Sequence, residues 1–317
     1  MILQKLKALT ARENDLFLLG ETLIDINTKP SGEVRKSFGG SCANITINLR
    51  RLGFKANLCS AVGKDEEGQY LLRTMMRHGV NTTCVRSVDA RTSEVYLRTG
   101  QLPPKPRFLR HADYHIAYTP TLKHLIKRSK IFHFSYWPLT REPAKSVFFK
   151  ALKDAVDANL VIAFDPNIHP DLLSDESLTP KDLMGFLSSV DIMKPSLDDA
   201  ARLFGSGLDK STYMDRFEAL GIPLVLMTLG SEGVFVSHYG KRMHVPTKPV
   251  EIVDPTGAGD AFWAGFYAGL LKNLPLEDVL HHAQRIGATP VGQVGALAKL
   301  PHFSRIMNES SWRNQRS

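Results

Sequence analysis

Residues 254–262 read Asp-Pro-Thr-Gly-Ala-Gly-Asp-Ala-Phe, so two acids flank a turn of small residues. Gly257, Ala258 and Gly259 let the backbone pass close to a ligand. The amphipathic run that follows, 261–272, has helical length. The first N–H groups of a helix lack intrahelical partners, and the helix dipole adds positive potential at the same place. The stretch therefore predicts an anion hole that suits a phosphate.

Asp260 lies at the mouth of this predicted hole. A carboxylate repels a neighbouring phosphate, so its natural role is to accept a proton from a hydroxyl that attacks phosphorus. The alternative is a loop in which Asp260 only caps the following helix. The chain has no Gly-x-x-x-x-Gly-Lys-Ser/Thr sequence, which argues against a P-loop kinase.

A second stretch, residues 39–44, reads Gly-Gly-Ser-Cys-Ala-Asn and also opens a helix, which Gly53 ends. Gly39 and Gly40 allow close approach of a small molecule. Asn44, in the first turn, offers both a donor and an acceptor to sugar hydroxyls. This stretch predicts a sugar site.

Together the two stretches resemble the PfkB family of ribokinase-like carbohydrate kinases, and most of all its fructokinase and 2-keto-3-deoxygluconate kinase branch. Further matching segments are 19–25, 62–68, 78–82, 164–167, 191–195 and 228–233. The resemblance covers nearly the whole chain, from about residue 15 to about 303. It implies an ATP-dependent kinase that transfers the γ-phosphoryl group to a primary hydroxyl of a monosaccharide.

The resemblance also implies roles for individual residues. Asp260 is the base, and the backbone N–H groups of Gly257, Ala258 and Gly259 stabilise charge on the transferred group. The residues implied to contact the sugar are Asp25, Gly39, Gly40, Asn44, Asn167 and Arg110. Asp25 could instead cap a turn at the end of a strand.

On the nucleotide side, the resemblance implies that Lys194 reaches a phosphate and that Thr228 and Gly230 pass beneath the phosphates or ribose. Gly233 permits a turn there. ATP is the implied donor, with Mg²⁺ bridging its phosphates. Asp254 resembles the residue that helps hold a monovalent cation, often K⁺, beside the anion hole.

One segment departs from the family pattern. The family often carries Asn and Glu where this chain has Ser196 and Asp199, and that pair helps to organise magnesium through water. Like the family's Glu, Asp199 has a carboxylate, but its side chain is shorter. It is a candidate for the magnesium role, and the alternative is an acid that favours the dipole in the first turn of a helix.

Two segments narrow the choice of substrate. Arg110 precedes a small residue and Asp113, as in fructokinases and 2-keto-3-deoxygluconate kinases, so Arg110 is expected to reach the substrate. Both groups commonly carry an Arg downstream of Asp-Pro-Asn at 165–167, where this chain has His169. Arg is the preferred partner of a carboxylate, so its loss favours fructose over an acidic sugar. Ribokinase or nucleoside kinase activity remains an alternative.

An inactive ribokinase-fold protein with a binding or regulatory role is the alternative of another class. Such relatives often lose the base or a glycine of the anion hole. Asp260, Gly257 and Gly259 are all present, which favours an enzyme.

The composition suits a globular enzyme: 43% of the 317 residues are apolar and 23% are charged. No apolar run approaches the roughly 20 residues that span a bilayer, so no membrane contact is expected. The net charge of +8 is spread out without interleaved aromatics, so no nucleic-acid partner is expected. The three cysteines lack metal spacing and indicate a reducing, cytoplasmic location.

The elements that must position these residues alternate between apolar β-rich runs and helical patterns. Predicted strands are 16–19, 57–62, 131–134, 160–164, 192–194 and 224–229, and predicted helices are 43–52, 68–76, 144–158, 197–204 and 213–220. A hairpin is predicted from 234–237 to 242–245, and a short helix at the N-terminus. Alternation of this kind predicts an α/β fold with a mostly parallel sheet between helices.

Two segments break the alternation, at about 22–38 and 92–117. The resemblance implies that they form a small β lid over the sugar, inserted in a single α/β kinase domain of residues 1–317. The alternative is a pair of surface hairpins. Relatives can dimerise through the lid edge, so a homodimer through the lid is also expected.

Overall fold

The computed structural model describes residues 2–98, 106–172, 180–247, 257–291, 297 and 300–308. Within this part of the chain, nine strands form a central sheet and four form a smaller sheet. The strands are β1 (Asn14–Leu19), β2 (Leu23–Thr28), β3 (Val34–Gly39), β4 (Ala56–Gly63), β5 (Val85–Val88), β6 (Glu94–Arg98), β7 (Arg107–Leu109), β8 (Ser129–Ser135), β9 (Val161–Asp165), β10 (Ile192–Met193), β11 (Leu224–Thr228), β12 (Val234–His238) and β13 (Lys241–Val245). The helices are α1 (Ile2–Ala8), α2 (Ser41–Leu52), α3 (Glu66–Arg77), α4 (Pro120–Lys127), α5 (Ala144–Asp157), α6 (Pro180–Leu187), α7 (Leu197–Phe204), α8 (Lys210–Ala219), α9 (Ala258–Leu271), α10 (Leu276–Val291) and α11 (Phe303–Asn308).

The central sheet has the strand order β13-β12-β11-β10-β9-β8-β1-β4-β5. The strands from β11 to β5 are parallel to their neighbours, and β12 and β13 add an antiparallel hairpin at one edge. On β1, Leu16 and Leu18 pack into the hydrophobic core on one face, and Phe17 and Leu19 into the core on the other. Helices α2, α9 and α10 cover the first face, and α4, α5 and α8 cover the second. The predicted α/β fold is confirmed, and its strands are continuously apolar because both faces are buried.

Several predicted helices begin two or three residues earlier than the apolar pattern indicated. Helix α3 begins at Glu66 because the Asp65 carboxylate accepts a hydrogen bond from the N–H of Gly68. Helix α8 begins at Lys210 because Asp209 caps it in the same way. The caps extend these helices beyond their apolar stripes.

The N-terminal helix and the hairpin are present as predicted. Ile2 and Leu6 of α1 are buried, and Lys5 forms a 2.8 Å ion pair with Asp191. Helix α4 was not predicted, although Thr119 caps it and Pro120 occupies its first turn. Among the described helices, none has the length and apolar character required to cross a membrane.

The smaller sheet has the order β3-β2-β6-β7 and packs on the body through its own apolar cluster. Leu23 and Val95 come from the sheet, and Trp137 and Leu172 come from two short 3₁₀ helices of the body. These contacts place one face of the small sheet above the carboxyl ends of the parallel strands.

Helix α9 lies between α2 and α10, with its residues 261–270 buried. Two glycines allow α10 to approach it closely. A Cβ atom on Gly265 would lie 3.0 Å from the Cα of Ala283, and one on Gly269 would lie 3.1 Å from that of Val279. This packing fixes the first turn of α9, which carries Asp260.

Candidate active site

A cavity of about 430 Å³ lies where the parallel strands end, which is the usual ligand crevice of open α/β sheets. It is lined by Glu21, Leu23, Asp25, Gly40, Ser41, Asn44, Val95, Leu97, Phe108, Trp137, Asp165, Asn167, Lys194, Ser196, Asp199, Thr228, Gly257, Gly259 and Asp260. The cavity brings together most of the residues predicted from the sequence. Of the other predicted residues, Gly39, Ala258, Arg110, Gly230 and Gly233 do not line it, and Asp254 lies outside the described residues.

Asp260 joins the first turns of two helices, α2 and α9. Its Oδ1 accepts a 2.6 Å hydrogen bond from Ser41 Oγ, and its Oδ2 accepts a 2.9 Å bond from Asn44 Nδ2. Gly257 is the N-cap of α9 and has φ 82°, a conformation that favours glycine. The carboxylate is therefore held between the two stretches that the sequence singled out.

The surroundings of Asp260 tune its acidity. Burial raises the pKa of Asp260 to about 6, although the hydrogen bonds from Ser41 and Asn44 act in the opposite direction. A carboxylate with this pKa is ionised at neutral pH and is basic enough to accept a proton from a polarised hydroxyl. The arrangement suits a general base.

Glu21 is a cavity residue that the sequence reasoning missed. Only 2% of it is exposed, and it accepts hydrogen bonds from the Ser41 N–H at 2.6 Å and from Ser135 Oγ at 3.0 Å. Burial raises the pKa of Glu21 to about 7. Gly40, the N-cap of α2, has no side chain to offer, so the Glu21 carboxyl group takes over the capping role. Glu21 thereby anchors the turn that carries Ser41.

We expect kcat/KM to fall as the pH drops below about 6, because protonated Asp260 cannot accept a proton. The measurement is a pH profile, from pH 5 to 9, of the sugar phosphorylation that the sequence predicts. The Glu21→Gln variant should still lose kcat/KM below about pH 6, because Gln can form hydrogen bonds at this position but does not titrate. If the loss of activity at low pH disappears in the Glu21→Gln variant, the titrating group is Glu21 and not Asp260.

The part of the cavity that the sequence predicts to contact the sugar combines polar groups with an apolar wall. Asp25 lies on β2, and a Cβ on Gly39 would lie 2.5 Å from its Oδ2, so a larger residue at position 39 would displace the Asp25 carboxylate. Asn167 lies opposite, in the left-handed conformation with φ 38°. Asn44 Oδ1 is buried and has no hydrogen-bond partner among the described residues. The apolar residues of the wall are Leu23, Val95, Leu97, Phe108 and Trp137.

Arg110 lies behind this wall. Its guanidinium donates two hydrogen bonds to Asp113 Oδ2, at 2.9 and 2.6 Å, and its Cζ lies 4.7 Å from the ring centroid of Trp137. The indole N–H of Trp137 donates to the same carboxylate at 2.6 Å. In this structure Arg110 therefore contacts a cavity residue and not the cavity itself. Trp137 was missed because nothing local marks its indole as a cavity wall.

The part of the cavity that the sequence predicts to bind the nucleotide contains a buried ion pair. Lys194 Nζ lies 3.1 Å from Asp165 Oδ2, and Trp263 Nε1 donates to the same oxygen at 2.7 Å. Burial raises the pKa of Asp165, whereas the neighbouring Lys194 charge lowers it. Lys194 Nζ also lies near Gly259, 3.7 Å from where a Cβ would be. The ammonium group is thus beside the turn predicted to hold a phosphate.

Thr228 lines the cavity at the end of β11, and Gly230 and Gly233 follow in the adjoining turn. A Cβ on Gly233 would lie 2.2 Å from the carbonyl oxygen of Val245, so a larger residue would displace β13. Gly233 is therefore required for packing. Its φ of 97° agrees with the predicted turn.

Asp199 closes a capping box at the start of α7. Its Oδ2 accepts from the N–H and Oγ of Ser196, at 2.9 and 2.6 Å, and its Oδ1 accepts from the Ile168 N–H at 2.8 Å. Protein donors thus take up much of the capacity of this carboxylate. Within the described residues, no cluster of three or more His, Cys, Asp or Glu could hold a metal ion.

The chain belongs to the pfkB family of carbohydrate kinases, because the sequence model of the pfkB family carbohydrate kinase matches residues 13–302. An ATP-dependent 6-phosphofructokinase from Thermoanaerobacterium thermosaccharolyticum is 37% identical over 301 residues, covering 93% of each chain. A fructokinase from Escherichia coli is 28% identical, covering 93% of this chain and 98% of its own. The chain is accordingly a sugar kinase, and the family resemblance seen in the sequence is confirmed.

Solved structures agree with this assignment. The fructokinase of Halothermothrix orenii has a TM-score of 0.76 and 31% identity, over 89% of this chain and 99% of its own. A fructokinase double mutant from Vibrio cholerae, solved with fructose, ADP and potassium ion, has a TM-score of 0.82 over 93% of this chain and 98% of its own. At 22% identity the latter supports the fold alone.

Proposed function

We propose that this sugar kinase transfers the γ-phosphoryl group of ATP to a primary hydroxyl of fructose. The observation that carries the proposal is the position of Asp260. Its carboxylate lines one cavity together with the sugar-side residues Asp25 and Asn167 and the phosphate-side residue Lys194. A hydroxyl and a phosphoryl group bound there would meet beside a base of suitable pKa.

The cavity walls favour a neutral sugar. On the sugar side, the described wall offers the carboxyl groups of Glu21 and Asp25 beside apolar side chains. The cation among the described lining residues is Lys194, and it is paired with Asp165. An acidic sugar would leave its charge without a partner at this wall, which costs free energy when water is excluded.

The roles of the polar groups follow from their bonding. Asp25 and Asn167 would hold sugar hydroxyls, and the unpartnered Oδ1 of Asn44 would accept a further hydroxyl hydrogen. Backbone N–H groups of the Gly257–Gly259 turn would stabilise the transferred group. Lys194 and Thr228 would contact ATP.

Mg²⁺ would assist phosphoryl transfer mainly as a complex with ATP, and not through ligands from the protein. Mg²⁺ bound with ATP neutralises the charge of its phosphates. Asp199 carries three hydrogen bonds from protein donors, so we infer that it braces the loops around Ile168 and Ser196 more than it binds magnesium. Asp254 would help to hold K⁺ beside the anion hole.

The surroundings of the site complete the proposal. The small sheet would act as a lid that excludes water, and the exposed edge strand β3 would pair with a second copy in a homodimer. Cys42, Cys59 and Cys84 are buried free thiols, which suits a cytoplasmic enzyme.

Phosphorylation of fructose 6-phosphate is the second candidate, favoured by the relative with 37% identity, which is named a 6-phosphofructokinase. The test is a substrate panel in which ADP formation is followed with fructose, fructose 6-phosphate, 2-keto-3-deoxygluconate, ribose and adenosine. We expect the highest kcat/KM with fructose, by at least about tenfold, which corresponds to about 1.4 kcal/mol. A preference for fructose 6-phosphate would replace the first candidate by the second. Turnover of none would indicate a binding protein.

A further inference from the structure

A cluster of four arginines and one histidine lies near the C-terminal ends of α2 and α3, apart from the residues that line the active-site cavity. We define the α2–α3 cluster as Arg50, Arg51, Arg73, Arg77 and His78. Arg51 Nη2 lies 3.1 Å from His78 Nε2, which joins the two helix ends. The Arg50 guanidinium lies close to Gly79, which follows His78 after the end of α3. A Cβ atom on Gly79 would be 3.2 Å from Arg50 Nη2.

The α2–α3 cluster borders a second cavity. Arg73 and Arg77 line it together with Met76, and its volume is about 450 Å³. Met76 is 55% exposed, so the wall of this cavity includes an apolar side chain. The cavity is therefore large enough for a phosphate group with a small organic part.

Among the described residues, neither Arg73 nor Arg77 forms an ion pair with an acid, whereas Arg242 pairs with two. Arg73 donates to Gln69 Oε1 at 3.4 Å, and Arg77 donates to Thr74 Oγ1 at 3.1 Å, so both partners are neutral.

The positively charged side chains of the α2–α3 cluster repel one another when no anion is bound. Arg73 and Arg77 are four residues apart on one helix, where like charges repel each other. Burial lowers the pKa of His78, and the charges of Arg51 and Arg77 lower it further. The helix dipole favours cations in the last turn of α3, but Arg73 lies a turn earlier. A bound anion would relieve all of these repulsions.

We propose that the α2–α3 cluster is a binding site for a phosphate ester or diphosphate, distinct from the ATP site. Guanidinium groups match phosphate oxygens in a bidentate fashion, and two of them, those of Arg73 and Arg77, line the same cavity. The N-terminal ends of both helices contact the active site or the small sheet beside it. The first turn of α2 carries Ser41 and Asn44, which bind Asp260, and Asp65 at the start of α3 accepts a 2.6 Å bond from the Thr92 N–H at the base of the small sheet.

The test is a calorimetric titration of the full chain with sodium pyrophosphate at constant ionic strength. Pyrophosphate can also enter the predicted anion hole, so the readout is the number of molecules bound per chain. We expect the Arg73→Ala/Arg77→Ala variant to bind one pyrophosphate fewer than the unsubstituted protein. Without pyrophosphate it should unfold at an equal or higher temperature, because a repulsive pair is removed.

The matched control is Lys127→Ala/Arg216→Ala, which removes the same charge from two exposed helical positions elsewhere. It should bind as many pyrophosphate molecules as the unsubstituted protein. Equal stoichiometry and affinity in the Arg73→Ala/Arg77→Ala variant would overturn the proposal. Loss of binding in both variants would also overturn it, since net charge would then be the cause.

Discussion

Asp260→Asn is expected to fold normally and to lose at least about a hundredfold in turnover. Positioned general bases contribute roughly 10²–10⁴-fold, and an amide cannot accept the proton of the sugar hydroxyl. The substituted side chain has almost the same shape, and its Oδ1 can still accept from Ser41 Oγ. The KM values for ATP and sugar should change much less than kcat, because the interaction is needed in the transition state.

The measurement is steady-state turnover at pH 8 with both substrates saturating, in a preparation free of host sugar kinases. Asp154→Asn is the matched control, because Asp154 is 6% exposed, lies on α5 and bonds to Tyr118 away from the cavity. The control should retain turnover. If Asp260→Asn retains turnover within tenfold of the unsubstituted enzyme, Asp260 is not the base.

The same variant should not lose stability at pH 8. The folded-state pKa of Asp260 is raised above its ordinary value, so the group contributes stability below pH 4, and this contribution is lost as the pH rises through about 6. At pH 8 the ionised carboxylate is therefore a cost to folding that the amide avoids. Equal or higher thermal stability together with lost turnover would separate catalysis from folding.

The sequence predicted those site residues that belong to local patterns. Asp260 follows a turn of small residues, and Asn44 follows a pair of glycines, so each is marked by its own neighbours. The strands of the central sheet could also be predicted, because burial on both faces makes them continuously apolar. Residue 16 or 162 can be placed on a buried strand without any knowledge of its partners.

Other site residues depend on tertiary contacts that no local pattern encodes. Glu21 is a cap for a helix that begins twenty residues later in the chain. Trp137 becomes a cavity wall only because Asp113 and Arg110 hold its indole. The predicted contact of Arg110 with substrate followed from a family likeness, whereas its pairing with Asp113 required the packed structure.

Lys194→Met is expected to reduce both stability and activity. The Lys194 side chain is 7% exposed, and its ammonium group lies 3.1 Å from an Asp165 carboxylate that is equally buried. Breaking a buried pair by removal of one partner leaves an uncompensated charge and costs about 3–5 kcal/mol. The ammonium group beside Gly259 is also lost, so we expect a higher KM for ATP and turnover reduced by at least about a hundredfold.

A second substitution separates the two effects. In Lys194→Met/Asp165→Asn the buried charge is removed and Asn can still accept the Trp263 hydrogen bond, so most of the lost thermal stability should return. Activity should remain low, because no cation has been restored beside the phosphate turn. Thermal unfolding and ATP-dependent turnover of both variants provide the measurement. If turnover recovers together with stability in the double variant, Lys194 only neutralises Asp165, and another group must hold the phosphates.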